Sequence, residues 1–218
     1  MRMRKKKWAE PELNACDFFI KNPCDYKGRW KDFFGSGNPI ELEVGCGKGT
    51  FVAHKGLLNP QTDFIAVDLI SNMLAVGRRN IVALFEENSR ECKNIALTSY
   101  NVDKISEIVD KADNIARIYI NFCNPWPRLK HNKRRLTHPT KLCQYKDILP
   151  PGGEIHFKTD SDLLFDDSLE YFKECGFEVT YLTRDLHQSD YTGNIVTEHE
   201  KMFSDEGIPI KFLIARKG

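Results

Sequence analysis

With 218 residues, the chain has room for one sizeable α/β domain and a short extension, and its net charge of only +1 excludes a protein that coats polyanions without discrimination. The seven cysteines, Cys16, Cys24, Cys46, Cys92, Cys123, Cys143 and Cys175, are odd in number, irregularly spaced and without a C-x-x-C pair, which argues against a disulfide framework or zinc site and for the reducing cytoplasm. The charged start has no apolar core behind it and no apolar run approaches the length of a membrane span, so neither a signal peptide nor a membrane partner is expected.

In chain order, residues 1–38 read as an extension: a basic run (Arg2, Arg4, Lys5, Lys6, Lys7), a short helix near Leu13 to Ile20, and breaks at Asn22-Pro23 and Gly35 to Pro39. From 39 to 218 one domain follows. Strands are expected at 40–44, 64–67, 95–98, 117–122, 154–158, 177–182 and 210–215. Helices are expected at 50–58, 71–86, 104–111, 162–175 and after Thr197. A further helix runs to Ile148, with Thr137 as N-cap and Pro139 in the first turn. This alternation predicts a doubly wound, Rossmann-like α/β sheet, mostly parallel with an antiparallel last strand. Ligands on such sheets bind at the carboxyl ends of the strands. The glycine loop, Asp68, Asp103, Asn124 and Asp160 all follow predicted strands, so one sheet edge should carry them.

The loop Glu43-Val44-Gly45-Cys46-Gly47-Lys48-Gly49 follows the first of these strands and opens a helix. Gly45, Gly47 and Gly49 permit a tight turn and close approach of backbone to ligand. A dinucleotide site would want a glycine where Thr50 stands, and Glu43 would repel a diphosphate. An acid suits a cationic amino group instead. Asp68, ending the next strand, can accept ribose hydroxyls, and Asp103 is placed for the adenine end of a nucleoside. The bland alternative makes these acids ordinary strand-end caps.

The segment Ile120 to Leu136 turns from an apolar strand into Asn124-Pro125-Trp126-Pro127. Arg128, Lys130, His131, Lys133, Arg134 and Arg135 follow at once. An amide and an aromatic face on a rigid turn beside clustered cations suit a nucleobase next to its phosphates. Trp126 can stack on a base or plug the strand end, and the run 128–135 can be a solvated loop. The six histidines have no zinc spacing and no metal is expected. Thr197-Glu198-His199-Glu200 fits a capping box, with Glu200 returning to the Thr197 backbone. His187 reads as a structural contact and Cys123 as strand packing.

These blocks together resemble the bacterial tRNA (guanine-N7-)-methyltransferase family. The resemblance rests on E-V-G-C-G-K-G at 43–49, N-F-C-N-P-W-P at 121–127 and K-H-N-K-R-R-L-T at 130–137. It extends through P-G-G-E-I-H-F-K-T-D at 151–160, D-L-H-Q-S-D at 185–190 and T-E-H-E at 197–200. It spans nearly the whole chain, from about Arg2 to Ala215. It implies S-adenosyl-L-methionine as methyl donor and a guanine in the variable loop of tRNA as acceptor. By that likeness Glu43, Asp68, Asp103 and the residue at Asn124 match cofactor positions, although the family more often has Glu where Asp68 stands. Arg128, Asp160 and Thr197 to Glu200 match substrate-binding positions. Lys130, His131, Asn132, Lys133, Arg134 and Arg135 match the RNA-contacting stretch.

One position departs from the pattern. The family usually has Asp where this chain has Asn124. Guanine N7 offers an in-plane lone pair and has no proton to remove, so attack on a sulfonium methyl needs alignment more than a base. Positive charge grows on the ring, and a carboxylate would stabilise it better than an amide. Asn124 is therefore expected to position guanine or the methionine moiety, with Asp160 supplying the charge. Two alternatives stay open: an exocyclic-amine methyltransferase, and a tRNA-binding protein with weakened catalysis. Monomer and homodimer are equally compatible with the sequence.

Overall fold

The structure is a computed structural model that describes residues 6–218, so the expected basic arm at Arg2, Arg4 and Lys5 lies outside the described residues. Eight strands form one sheet: β1 (Phe19–Ile20), β2 (Ile40–Val44), β3 (Asp63–Asp68), β4 (Ile95–Ser99), β5 (Ile115–Asn121), β6 (Glu154–Thr159), β7 (Phe177–Thr183) and β8 (Lys211–Lys217). Their spatial order is β1-β4-β3-β2-β5-β6-β8-β7. Only β8 runs against its neighbours β6 and β7. Among the described residues there are seven α-helices: α1 (Ala9–Asn14), α2 (Trp30–Phe34), α3 (Thr50–Leu58), α4 (Ser71–Glu87), α5 (Pro139–Ile148), α6 (Asp162–Glu174) and α7 (Glu198–Asp205). The order reverses between β2 and β5, which makes their carboxyl ends the switch point where such sheets bind ligands.

The two faces of the central sheet differ. Leu42, Val44, Ile118, Ile120, Ile155 and Phe157 are fully buried in one apolar core with Leu142, Tyr145 and Phe165 from α5 and α6. The opposite face is polar. Across the register, Glu41 stands beside Arg117 and Arg117 beside Glu154; Glu43 beside Tyr119; Asn121 beside Lys158. Period-two alternation puts these partners on a common face. This face could be buried only because its groups pair: Arg117 contacts Glu41 at 3.0 Å and Glu154 at 3.1 Å, and Tyr119 Oη donates to Glu41 at 2.8 Å.

Several local expectations change. The helix expected over 13–20 ends at Asn14, and Phe19–Ile20 instead adds a parallel edge strand to β4. Pairing with an exposed strand edge outweighed weak local helix preference. The same extension buries Trp30, whose indole N–H donates to the Ile108 carbonyl at 2.8 Å. The segment 104–111 forms 3-10 turns, Val102–Glu107 and Lys111–Asp113, rather than an α-helix. The N-cap of α5 is His138, whose ring accepts from the Thr140 amide, while Thr137 is buried against Ser168.

Candidate active site

The glycine loop is held from below by strand β3. The Gly45 and Cys46 amides both donate to the Val67 carbonyl, at 2.8 and 3.1 Å. Gly45 has φ +76°, and a Cβ there would stand 3.0 Å from Leu136. Gly49, at φ +66°, lies where a Cβ would meet the Gly77 backbone of α4 at 3.3 Å. The loop therefore needs glycine for conformation at both places and for space at the second. It lines a cleft of about 450 Å³ at the carboxyl ends of β2, β3 and β5.

Glu43 and Asp68 form the acidic wall. Glu43 is 3% exposed. Its Oε1 accepts from Asn121 Nδ2 at 3.1 Å, and its Oε2 is buried with no partner. Burial pushes its carboxyl up to about 8, opposed by the Asn121 hydrogen bond and the nearby Lys158 charge. A buried carboxylate oxygen without a hydrogen-bond partner, on a residue that lines a cleft, is a candidate acceptor for a cationic donor. Asp68 accepts from the Gly47 amide at 2.9 Å and the Ile70 amide at 2.8 Å. Burial raises its carboxyl too, against those two bonds. A carboxylate has about four lone-pair directions, so two remain for a ligand.

The facing wall is the turn after β5. Asn124 Oδ1 accepts from the Trp126 amide at 3.0 Å, which braces a turn holding Phe122 and Trp126 at φ +51° and +42°. Such φ values are strained for bulky residues and persist only where the surroundings enforce them. The Arg134 guanidinium lies 5.0 Å over the Trp126 ring, and His131 meets that ring edge-on at 5.7 Å. Asn124, Trp126 and Arg134 line the cleft together with Glu43 and Asp68. The third wall is the start of α7: Thr197, Glu198 and His199 line the cleft, with His199 stacked on Phe122 at 6.3 Å. Lys48 of the glycine loop meets Glu198 at 2.6 Å across the mouth. Both side chains are about half exposed, so the contact adds little stability.

Other expected residues sit elsewhere. Asp103 is exposed and paired with Lys141 at 2.7 Å, away from the cleft lining. The partner explains the placement: Lys141 is buried and also donates to the Lys133 carbonyl, so Asp103 fastens the base of the cationic loop. Asp160 follows β6 outside the lining, and its carbonyl accepts from Lys211 at 3.0 Å. Arg128, Lys130 and Lys133 are exposed beyond the cleft, with Asn132 half-buried between them.

Two expectations need correction. Arg135 is 1% exposed. Its guanidinium donates to the Pro125 carbonyl at 2.8 Å and pairs with Asp167, so it cannot reach a phosphate and instead holds the Asn124–Trp126 turn from behind. Glu200 is 0% exposed and bonded to Lys158 at 2.6 Å, His187 at 2.8 Å and Asn194 at 2.5 Å. It is neither presented to a substrate nor folded back on Thr197. Half of the capping box stands, with Thr197 Oγ1 accepting from the Glu200 amide at 3.2 Å. Cys123 carries a thiol that burial pushes up to about 12, which leaves it a poor nucleophile.

Sequence reasoning passed over Lys48, Phe122 and Lys158. The signal for Lys158 was present: His156 and Lys158 alternate with Ile155 and Phe157 in β6, so the strand had to bury a polar face. Among the described residues no cluster of metal-ligating side chains occurs and no helix is long and apolar enough to cross a membrane.

Comparison with known proteins agrees with this geometry. A family model described as "Putative methyltransferase" matches residues 37–213. The chain is 57% identical over 217 residues to the tRNA (guanine-N(7)-)-methyltransferase of Clostridium beijerinckii, covering 100% of this chain and 99% of that relative. It is 51% identical over 217 residues to the protein of the same name from Acetivibrio thermocellus, covering 100% of each. Among solved structures, the 16S rRNA methyltransferase KamB superposes with a TM-score of 0.63 at 13% identity, covering 87% of this chain and 93% of that one. The structure of an antibiotic-related methyltransferase gives 0.61 at 12% identity, over 86% and 92%. Those two show a shared fold, whereas end-to-end identity above one half carries more. The chain belongs to the tRNA (guanine-N(7)-)-methyltransferase family.

Proposed function

We propose that the protein transfers a methyl group from S-adenosyl-L-methionine to N7 of a guanine in the variable loop of tRNA. The observation that carries this reading is the cleft itself, which the unpartnered Glu43 carboxyl, the Asp68 carboxylate and the Trp126–Arg134 plate line together. The residues fit the cofactor. Glu43 has the unpaired buried acceptor that a cationic amino group requires, Asp68 retains acceptor capacity for hydroxyls, and the glycine loop leaves space where side chains would intrude. S-adenosylmethionine supplies an electrophilic methyl group. The protein's part is alignment and electrostatics. Trp126, with Arg134 across its ring, offers an apolar plate on which a purine can stack. Asn124 holds the turn that aims this plate. Exposed Lys130, Lys133 and Arg134 face solvent, where tRNA phosphates can be gripped.

The amide at Asn124 matters less to the turn than to the charge. Asp in its place would accept the same Trp126 amide bond. What the amide lacks is the negative charge that favours a ring gaining positive charge. Asp68, on the opposite wall of the cleft, is the carboxylate that can offset the missing charge. The exocyclic-amine reading is weaker, because one of the two lone pairs of the Asn124 oxygen that would accept from a target amino group is already taken by the Trp126 amide. The test is transfer of labelled methyl from S-adenosylmethionine to tRNA lacking 7-methylguanosine, followed by nucleoside analysis. Labelled 7-methylguanosine is the expected product. A methyl on an exocyclic amine would replace the reading, and tRNA binding without transfer would reduce the chain to a binding protein.

A further inference from the structure

Lys158 is buried in the polar face of the sheet, at 3% exposure, paired in register with Asn121 of the cleft lining. It is tied to three places at once. Its ammonium donates to Glu200 Oε2 at 2.6 Å, to the Ile195 carbonyl at 2.7 Å and to Asn194 Oδ1 at 2.9 Å. All three donor protons of an ammonium are thereby used. Two rings flank it, Phe51 from α3 and Phe122 from the turn after β5, each 5.7 Å away. Glu200 takes the rest of its bonds from Asn194 and His187. Burial works to raise the Glu200 carboxyl, but Lys158 and these donors hold it below the ordinary value, in its ionised form.

The segment 194–199 is otherwise fixed by the Thr197 cap, the half-exposed Lys48–Glu198 contact and the His199–Phe122 stack, all at its C-terminal half. Its residues before α7 form no regular element, and Val196, Glu198 and His199 are exposed. Yet Thr197, Glu198 and His199 form one wall of the cleft. A charged pair buried under an irregular segment fixes that segment more sharply than apolar packing would, because the ammonium accepts only a few geometries.

We infer that Lys158 is a positioning residue for tRNA: through Glu200, Asn194 and the Ile195 carbonyl it sets the Thr197–His199 wall against the Asn124–Trp126 turn. This rests on the functional reading above. It gives Lys158 a role in acceptor recognition rather than in methyl transfer itself.

Removing Lys158 alone would strand a buried carboxylate and endanger folding. The informative variant is therefore the double replacement Lys158→Met with Glu200→Gln, which removes both charges and keeps both volumes. It is compared with the intact protein by thermal melting, by affinity for S-adenosylmethionine, by steady-state methyl transfer to tRNA, and by amide hydrogen exchange. The expected result is a folded protein with cofactor affinity within about threefold of the original. Its KM for tRNA should rise at least 30-fold while kcat changes less than threefold, and amides 194–200 should exchange at least tenfold faster. Unchanged KM and unchanged exchange would overturn the proposal and leave the pair as packing alone. A loss confined to kcat would overturn it as well. Should the intact protein form no 7-methylguanosine, the functional reading falls, and tRNA binding with amide exchange in the double variant decides the role of Lys158.

Discussion

On the wall built from the ends of β2 and β3, two acids are buried or half-buried, and main-chain amides and Asn121 hold them in place. On the wall from Asn124 to Arg134, cations stand in solvent and the rigidity comes from behind, through the buried Arg135. The first wall stores electrostatic free energy by desolvation, so it should respond sharply to pH and to single substitutions. The second spreads its contribution over several exposed charges, so it should respond gradually and to salt. A small ligand with one cationic group suits the first wall, and a large polyanion suits the second.

The sharpest break of this contrast is Glu43→Gln. In the free protein the Glu43 carboxyl is pushed up to about 8 from an ordinary 4.5. The native state then holds a proton that the unfolded chain has lost between those values, so Glu43 lowers stability as pH rises from 4.5 through 8 and has no effect below. The variant should be equally stable at pH 4 and increasingly more stable than the original between about pH 4.5 and 8, with a slope approaching about 1.4 kcal/mol per pH unit and a constant margin above. Its affinity for S-adenosylmethionine should fall about 10- to 100-fold, the worth of a charge-assisted hydrogen bond. Urea titrations across pH and calorimetric binding read both, and a parallel pH profile for the two proteins would refute the assignment.

Arg135→Ala sharpens the comparison from the other side. It should cost about 3 kcal/mol, because a buried guanidinium leaves and the Pro125 carbonyl loses its donor. Denaturant unfolding checks this, and a change under 0.5 kcal/mol would return Arg135 to the surface cations. Asn124→Asp should leave stability within about 0.5 kcal/mol, since the bond to the Trp126 amide survives, and raise kcat about tenfold. Unaltered turnover and cofactor affinity would show that charge at position 124 is unimportant. The smallest effect is expected for Arg134→Ala: tRNA affinity a few-fold weaker and a salt slope shallower by about 1. An unchanged slope would remove Arg134 from the phosphate contacts.

Much of the acidic wall was legible in the sequence. A strand, a glycine loop and a helix start are local features with local causes, and Glu43 and Asp68 fall at strand ends by counting. The doubly wound sheet was legible for the same reason, since strand-helix alternation leaves few topologies. The cationic stretch was legible as composition but not residue by residue. Arg134 and Arg135 are neighbours of identical type, yet one lies on Trp126 and the other is buried beneath the turn. Nothing in the local sequence separates them, because the difference lies in Asp167 on α6, which only tertiary packing brings to Arg135. The edge strand Phe19–Ile20 was hidden likewise, since its reason to exist is the open edge of β4.

What the sequence determined by itself is therefore the alternating α/β order, the glycine loop with its two acids, and the existence of a rigid turn among cations. Each follows from interactions within a few residues. What only the tertiary structure decided is which charges are buried and with whom: Arg135 with Asp167, Asp103 with Lys141, Lys158 with Glu200. Burial of a charge is settled by partners far away in the chain, because an unpaired ion cannot leave water and its counterion is chosen by the fold.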